Sequence, residues 1–391
     1  MENVVAVDPR ESSPWRRELG NRYVSRMLKG FGRALTFAGA WRSGAPGLRE
    51  EETELLRQDR SVPATIFRPA PLLSPLPAWV VLHGITRPGR RHPTLLRFVR
   101  ALASSGAVVL VPEIPEWRAL HLAPERALDT LRAAILYLAE REEAAPGRIG
   151  AIGFSFGVSA VLAAASDPAL AKHLAAVAGF GGHCDLERTL RFLFLGEHDW
   201  KGRTYLGDPD PYGRWIVGGN YLDRVPGFGE ATDVAEALLD LAREAGDLQV
   251  GAWESHLDSV KERLRRRVHP SRSDLFRALA PPAGERTPRE LAEILGPGLA
   301  LTARETSPLF EPSRFLDQVT VPVRLIHGRA DRLIPFSESL RLREAFPPEA
   351  DVQAYLTGLF AHSQRHRRRG PAEISEQLRF LRVMTHLLGS L

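Results

Sequence analysis

The feature that most constrains this chain is the pentapeptide Gly-Phe-Ser-Phe-Gly at residues 153–157, which stands between a predicted strand and a predicted helix. The apolar run before it is typical of a buried strand, and the small-residue run at 158–165 is typical of a helix. Glycines without Cβ atoms would let the two elements approach, leaving Ser155 in a sharp, strained turn with its hydroxyl exposed. This context predicts a nucleophilic serine, although a turn without chemistry fits the pentapeptide alone.

Composition is typical of a soluble globular protein. The 391 residues are 44% hydrophobic and 25% charged, and the mean hydropathy is -0.18. The 52 basic residues are interspersed with 47 acidic ones, which favours a solvated surface over a nucleic-acid footprint. No stretch has the apolar length that crosses a bilayer. We therefore expect neither a nucleic-acid partner nor a transmembrane segment.

The first residues and the cysteine content indicate the compartment. Residues 1–10 lack a basic segment followed by an apolar one, so we expect no signal peptide. The single cysteine, Cys184, excludes an intramolecular disulfide and fits a reducing environment. The sequence thus predicts a cytoplasmic protein.

Apolar runs alternate with helical patterns along most of the chain. Two short strands at 53–58 and 62–68 predict a hairpin. Continuous apolar runs then predict buried strands at 78–82, 107–111, 148–152, 174–180, 321–326 and 352–356. Strands that are apolar throughout and alternate with helices belong to a parallel sheet covered by helices on both faces.

The alternation stops after residue 182 and resumes near residue 317. Helical patterns separated by proline- and glycine-rich pieces fill the interval, so the sequence predicts a helical insertion at 183–316, which we call the cap. The core would then comprise residues 51–182 and 317–391. Aromatic side chains in the first part of the cap either line a substrate pocket or form the cap's own core: Trp200, Tyr205, Tyr212, Trp215, Tyr221, Phe228 and Trp253.

Residues 1–50 form an N-terminal extension with a predicted helix at 15–37. Its arginines fall away from a stripe of apolar residues spaced four apart, namely Leu19, Tyr23, Met27, Phe31 and Leu35. The helix either packs on the protein's own core or lies against an anionic membrane or a partner through residues 15–40. A second basic segment, 261–269, predicts a solvated helical face, or else a surface that attracts an acidic substrate or an anionic membrane.

A serine nucleophile needs a base within hydrogen-bond reach and a carboxylate that orients the base. In a parallel sheet the reacting groups gather beyond the carboxyl ends of the strands. Asp331 follows the predicted strand at 321–326, and His362 follows the last predicted strand. The order Ser155, Asp331, His362 is the one associated with a strand–serine–helix turn of this type.

Each partner of Ser155 has an alternative. Asp185, which follows the predicted strand at 174–180, is a rival for the acid, and Asp331 could instead cap the helix that starts near Pro335. His362 could be a surface histidine, since a basic run follows it at once. His362 and His366 have the spacing of helical metal ligands, but acidic residues do not cluster near them, so we expect no metal site.

On these residues the chain resembles the α/β-hydrolase superfamily over roughly residues 50–182 and 317–391. The matching pieces are residues 79–84, 153–157, 323–335 and 361–363. The resemblance implies an α/β-hydrolase fold, with a mostly parallel central sheet, helices on both faces and a large helical cap.

The resemblance also implies the roles of individual residues. Ser155 would be the nucleophile, His362 the general base and then acid, and Asp331 the acid that orients His362. Backbone N–H groups of Ile85 and Phe156 would form the oxyanion hole. The implied supporting residues are His83 and Gly84 in the oxyanion turn, Gly153 and Gly157 in the nucleophile elbow, and Thr86 as a further hydroxyl.

The sequence therefore predicts a serine hydrolase that cleaves a carboxylic ester or related acyl bond of a small-molecule or lipid-like substrate. The reaction would pass through an acyl-enzyme and needs no cofactor. The same residues could transfer the acyl group to an acceptor other than water, or cleave an amide, thioester or carbon–carbon bond. A non-enzymatic protein that binds a membrane surface or a partner is the remaining alternative.

Overall fold

The computed structural model describes residues 14–358 and 371–391. The strands in these ranges are β1 (Leu48–Leu56), β2 (Ser61–Pro69), β3 (Leu76–Leu82), β4 (Val108–Pro112), β5 (Ala144–Phe154), β6 (Leu174–Phe180), β7 (Glu197–Trp200), β8 (Arg203–Leu206), β9 (Val323–Gly328) and β10 (Val352–Thr357). The helices are α1 (Pro14–Ser43), α2 (Pro93–Ser104), α3 (Pro115–Arg118), α4 (Pro124–Ala139), α5 (Gly157–Ser166), α6 (Pro168–Ala171), α7 (Leu186–Leu195), α8 (Pro211–Tyr221), α9 (Thr232–Leu248), α10 (Asp258–Arg265), α11 (Ser273–Leu279), α12 (Arg289–Thr306), α13 (Phe336–Ala345) and α14 (Pro371–Leu388).

Eight of the described strands form one sheet in the order β1-β2-β4-β3-β5-β6-β9-β10, while β7 and β8 form a separate hairpin. The pairs β1–β2 and β2–β4 are antiparallel, and every pair from β4 onward is parallel. Strands β4 and β9 are buried along their whole length, as expected for parallel strands with both faces covered. The predicted mostly parallel sheet is confirmed.

The sheet grows first to one side of β3 and then to the other, because β3 lies between β4 and β5. Leu82 at the end of β3 pairs with Gly153 near the end of β5. The loop after β3 and the turn after β5 therefore lie side by side. Ligands of α/β sheets bind at such a reversal, beyond the carboxyl ends of the strands.

Helices cover both faces of this sheet. On one face α1, α2 and α14 pack through an apolar cluster that includes Phe37, Phe98 and Leu387. On the other face α4 and α5 pack through Leu131 and Val161. The covered parallel sheet and the strand–serine–helix turn after its central strand β5 confirm the predicted α/β-hydrolase fold.

Helix α1 packs on the protein's own helix α14, and two residues of the predicted stripe, Phe31 and Leu35, lie away from this contact. Phe31 and Leu35 of that stripe are 46% and 49% exposed, whereas Gly30 and Phe37 are buried. Close approach decides the contact in this part of α1, since a Cβ atom on Gly30 would overlap the carbonyl oxygen of Thr385 in α14. None of the described helices is long and apolar enough to cross a membrane.

Helices α7 to α12 and the hairpin β7–β8 lie between β6 and β9. The hairpin was not predicted, because its strands are short and carry mostly polar, partly exposed residues. Lys261 departs from the solvated face predicted for 261–269, since it is buried. Its Nζ atom contacts Asp258 at 2.9 Å and lies 5.9 Å from the ring centroid of Trp215.

The beginning and the end of the cap meet at a buried hydrogen bond. Nε2–H of His183 donates to the carbonyl oxygen of Phe310 at 3.0 Å. Burial lowers the pKa of His183 to about 4, so this histidine is neutral at pH 7. Beyond Phe310, short 3₁₀ turns pack against α5 and lead into β9.

Candidate active site

Ser155 occupies the turn between β5 and α5. Its φ angle of 55° lies in the left-handed region that residues other than glycine rarely adopt, so the turn stores backbone strain. Its N–H donates to the carbonyl oxygen of Phe180 at the end of β6 (2.8 Å), and its carbonyl oxygen accepts from the N–H of Val158 (3.0 Å). Neighbouring elements thus hold both sides of the turn.

The two glycines of the pentapeptide differ in how tightly they are packed. A Cβ atom on Gly153 would overlap the carbonyl oxygen of Gly157 and lie 2.7 Å from the nitrogen of Val158. A Cβ atom on Gly157 would meet Leu82 Cβ at 3.4 Å, which is close to ordinary van der Waals contact. Only the first position therefore requires glycine for the strand and the helix to approach each other.

The backbone N–H groups of Ile85 and Phe156 lie on the two segments next to Ser155. Phe156 follows Ser155 in the chain, and the loop after β3 comes close enough that a Cβ atom on Gly84 would lie 3.5 Å from Ser155 Cβ. Within the described ranges, neither N–H donates a hydrogen bond to another residue. Two uncommitted donors beside a serine can stabilise an oxyanion.

The hydroxyl of Thr86 is a further candidate donor on the same loop. Its Oγ1 atom is buried, and it has no hydrogen-bond partner among the described residues. Thr86 also lines the cavity that contains Ser155. A buried hydroxyl normally has a hydrogen-bond partner, and Thr86 could donate to a substrate in this cavity.

His83 fixes the direction of the peptide between Gly84 and Ile85. Its Nδ1–H donates to the carbonyl oxygen of Gly84 at 2.7 Å, and its Nε2, on the other side of the ring, lies 3.0 Å from the backbone nitrogen of Ile114. The C=O and N–H of a trans peptide point in opposite directions. Holding the Gly84 oxygen on one side therefore turns the Ile85 N–H to the other side.

A buried carboxylate that the sequence analysis missed lies behind His83. Oε1 of Glu113 is 3.1 Å from Nε2 of His83 and accepts from the N–H of Arg90 at 3.4 Å. Burial raises the pKa of Glu113, but His83 and the Arg90 N–H outweigh burial and hold this pKa below its ordinary value. Glu113 comes directly after β4, and that position, shared with Asp331 after β9, is the signal that could have revealed it.

Asp331 lies on the loop after β9 and is 8% exposed. Its Oδ1 accepts from the N–H groups of Leu333 (2.8 Å) and Ile334 (3.0 Å), and its Oδ2 lies 3.6 Å from Nε2 of His327. The cap position of α13 is Pro335 and has no side-chain cap, so Asp331 orders the preceding turn and not that helix end. Asp331 and Ser155 line the same cavity.

The rival acid Asp185 has a different role. It is the N-cap of α7, where its Oδ1 accepts from the N–H of Arg188 at 2.8 Å. Its own N–H donates to the buried carboxylate of Glu338 at 2.8 Å. Asp185 is not among the residues that line the cavity in the described ranges. His362 and His366 lie outside the described residues.

A cavity of about 400 Å³ connects the residues of the site. The core contributes Ser155, Asp331 and the loop at 83–88, and the cap contributes Tyr212 and the segment at 245–253. This volume is in the range of small-molecule sites. Within the described ranges, the structure contains no cluster of His, Cys, Asp and Glu that could hold a metal ion.

Arg332, next to Asp331, joins the core to the cap. Its guanidinium lies 3.9 Å from the ring centroid of Trp253, and its Nε donates to the carbonyl oxygen of Asp208 at 2.6 Å. The Arg332 carbonyl oxygen in turn accepts from the N–H of Asp210 at 2.7 Å. A cation–π contact and two hydrogen bonds thus set the position of the cap wall against the Asp331 loop.

Solved structures that are similar to this chain include three hydrolases. They are acylaminoacyl peptidase from Pyrococcus horikoshii (12% identity, TM-score 0.47, covering 88% of this chain and 41% of that chain), Est1E from Butyrivibrio proteoclasticus (13%, 0.47, 87% and 98%) and brefeldin A esterase, a bacterial homologue of human hormone-sensitive lipase (16%, 0.43, 92% and 81%). The chain thus spans about two fifths of the peptidase. No family model and no curated protein matches the sequence.

Proposed function

We propose that this protein is a serine hydrolase that cleaves a carboxylic ester through an acyl-enzyme on Ser155. The observation that carries the proposal is that one cavity is lined by a serine with a φ of 55°, the buried residue Asp331 and Ile85, whose backbone N–H is uncommitted. The second uncommitted N–H, that of Phe156, follows Ser155 directly in the chain. A strained serine turn persists only where the surrounding structure holds it, and such turns cluster at active sites.

In the proposed reaction Ser155 Oγ attacks the ester carbonyl carbon while His362 accepts the hydroxyl proton. The former carbonyl oxygen becomes an oxyanion that accepts hydrogen bonds from the N–H groups of Ile85 and Phe156. The intermediate collapses, and the leaving alcohol takes the proton from His362. A water then attacks the acyl group while it gives a proton to His362. When this second intermediate collapses, His362 returns the proton to Ser155 Oγ, and the acid is released. Asp331 orients His362 throughout.

Labelling and turnover test this proposal together. We expect the wild-type chain to react with a fluorophosphonate probe and to hydrolyse short p-nitrophenyl esters. Ser155→Ala should abolish labelling and lower kcat/KM by about 10⁴-fold or more, because the nucleophile is lost. The matched control is Ser159→Ala, which removes a buried hydroxyl in the first turn of α5 that has no partner among the described residues.

Two results would count against the proposal. One is a wild-type chain that neither reacts with the fluorophosphonate probe nor hydrolyses any of the short p-nitrophenyl esters. The other is a Ser155→Ala variant that keeps its activity. Adding small alcohols or amines during turnover separates hydrolysis from acyl transfer, since a transferase would form the new ester or amide in place of the free acid.

A further inference from the structure

Tyr212 is held in a fixed position relative to the Asp331 loop. It lies in the first turn of α8, where its N–H donates to the carboxylate of Asp210 at 3.0 Å. The N–H of Asp210 donates to the carbonyl oxygen of Arg332 at 2.7 Å, and Arg332 follows Asp331. Two hydrogen bonds thus tie this cap tyrosine to the loop that carries the proposed acid.

The hydroxyl of Tyr212 has no hydrogen-bond partner among the described residues, although the side chain lines the cavity that contains Ser155. The hydroxyl lies beside Gly246, where a Cβ atom would be 3.0 Å from the phenolic oxygen and 2.5 Å from Arg87 Cγ. Gly246 lines the same cavity. Because residue 246 has no side chain, the phenol of Tyr212 and the Arg87 side chain both pack against the cap backbone here.

Tyr221, a second tyrosine of α8, shows the usual alternative. It is 2% exposed, and its hydroxyl donates to the carbonyl oxygen of Leu122 at 3.4 Å. Tyrosines removed from solvent usually find such a partner. Tyr221 thus has a hydrogen-bond partner within the protein, whereas Tyr212 is a lining residue of the cavity.

Tyr212 carries its proton at neutral pH. Burial raises its pKa, and Asp210 raises it further, while Arg87 lowers it by less. The group that lines the cavity is therefore a neutral O–H donor. An ether, keto or hydroxyl oxygen of a ligand is a suitable acceptor for it.

We infer that the Tyr212 hydroxyl binds the substrate by donating a hydrogen bond to an oxygen other than that of the scissile carbonyl. The preferred substrates are then esters that carry an ether, keto or hydroxyl oxygen a few bonds from the ester group, with an apolar remainder. Apolar lining residues such as Leu95, Phe154 and Val250 are available to that remainder. This inference rests on the proposed function and names the substrate class of the same site.

Matched esters that differ by one oxygen test it. p-Nitrophenyl 3-methoxypropanoate and p-nitrophenyl pentanoate differ on the acyl side by replacement of a methylene with oxygen, and 2-methoxyethyl acetate and butyl acetate differ in the same way on the alcohol side. We expect Tyr212→Phe to lower kcat/KM about tenfold for the oxygen-containing ester of one pair, because one hydrogen bond is lost. The hydrocarbon partner should change by less than about twofold, as should all four esters with Tyr221→Phe.

The outcomes are separable. A selective loss in one pair supports the inference and assigns the oxygen to the acyl or the alcohol side. An equal loss on both members of a pair, or no loss in either pair, overturns it while ester hydrolysis itself stands. A wild-type chain that hydrolyses none of the four esters and does not label at Ser155 counts against the proposed function and removes the inference with it. Thermal unfolding of both variants identifies a loss of folding.

Discussion

The two sides of the cavity are built from different kinds of atoms. On the core side the groups nearest Ser155 are main-chain donors, and the ends of β3 and β5 set their positions. On the cap side they are side chains, above all the phenol of Tyr212 and the indole of Trp253. Other side chains hold those groups in turn, such as Arg332 beneath Trp253.

This difference bears on two properties of the proposed site, namely the reaction and the choice of substrate. The direction of a main-chain N–H is fixed by the peptide group that contains it. Such a donor is therefore kept when its own side chain is substituted, but it is lost when the backbone geometry changes. A side-chain donor can be exchanged by one substitution with little effect on the sheet. We therefore expect the core side to determine the reaction and the cap side to determine which substrate reacts.

The largest effect should come from the backbone of the nucleophile turn. We expect Gly153→Ala to lower the free energy of unfolding by about 3 kcal/mol or more, because the new Cβ would overlap the Gly157 carbonyl oxygen. Gly157→Ala should lower it by less than about 1 kcal/mol. Urea unfolding of the two variants measures the difference. Equal losses of unfolding free energy would show that the contact between residues 153 and 157 does not decide which position requires glycine.

The next effect should come from the residue that orients the oxyanion peptide. With His83→Ala we expect kcat to fall about 10- to 100-fold, because the Ile85 N–H loses its fixed direction. KM should stay within about twofold of wild type, since this donor is needed chiefly in the transition state. Steady-state kinetics on a p-nitrophenyl ester measures both constants.

Two variants accompany that measurement. Glu113→Gln should give a smaller loss in kcat, since it keeps the shape behind His83 but removes the charge. His121→Ala, at an exposed position, should have no effect. A rise in KM without a fall in kcat would assign His83 to substrate binding. It would contradict the expectation that the core side determines the reaction and the cap side the substrate.

The smallest effect should come from the connection between core and cap. Arg332→Ala removes the cation from Trp253 and the hydrogen bond to Asp208, so we expect KM to rise about three- to tenfold with kcat within about twofold. Arg329→Ala, at an exposed position of the same loop, is the control and should match wild type. A fall in kcat comparable to that of His83→Ala would mean that the cap side also contributes to the chemistry.

The sequence predicted the sheet and the serine turn because both leave local signatures. Buried parallel strands are continuous apolar runs, and the serine turn requires glycine at 153. Asp331 could be found because carboxyl ends of parallel strands share one edge of the sheet. Glu113 satisfies the same rule and was missed because its role depends on contact with His83, which no spacing encodes.

The cap side could not be predicted for a related reason. Tyr212 and Tyr221 occupy the same helix, but Tyr212 lines the cavity and the hydroxyl of Tyr221 donates to Leu122. Only tertiary packing distinguishes them. The exposure of Phe31 in α1 has the same origin, because the spacing of large apolar residues selected Phe31, whereas the small size of Gly30 lets its face of the helix meet α14.

The hydrogen bond between His183 and Phe310 bears on how such a chain can change over time. It brings together two positions that are 127 residues apart, so the intervening segment leaves and re-enters the core at one place. The conformational entropy lost on closing a loop grows only slowly with loop length. A longer, shorter or unrelated cap could therefore be carried by the same junction at little thermodynamic penalty. New specificities could thus be acquired by exchanging a whole segment, with Ser155 and its sheet left unaltered.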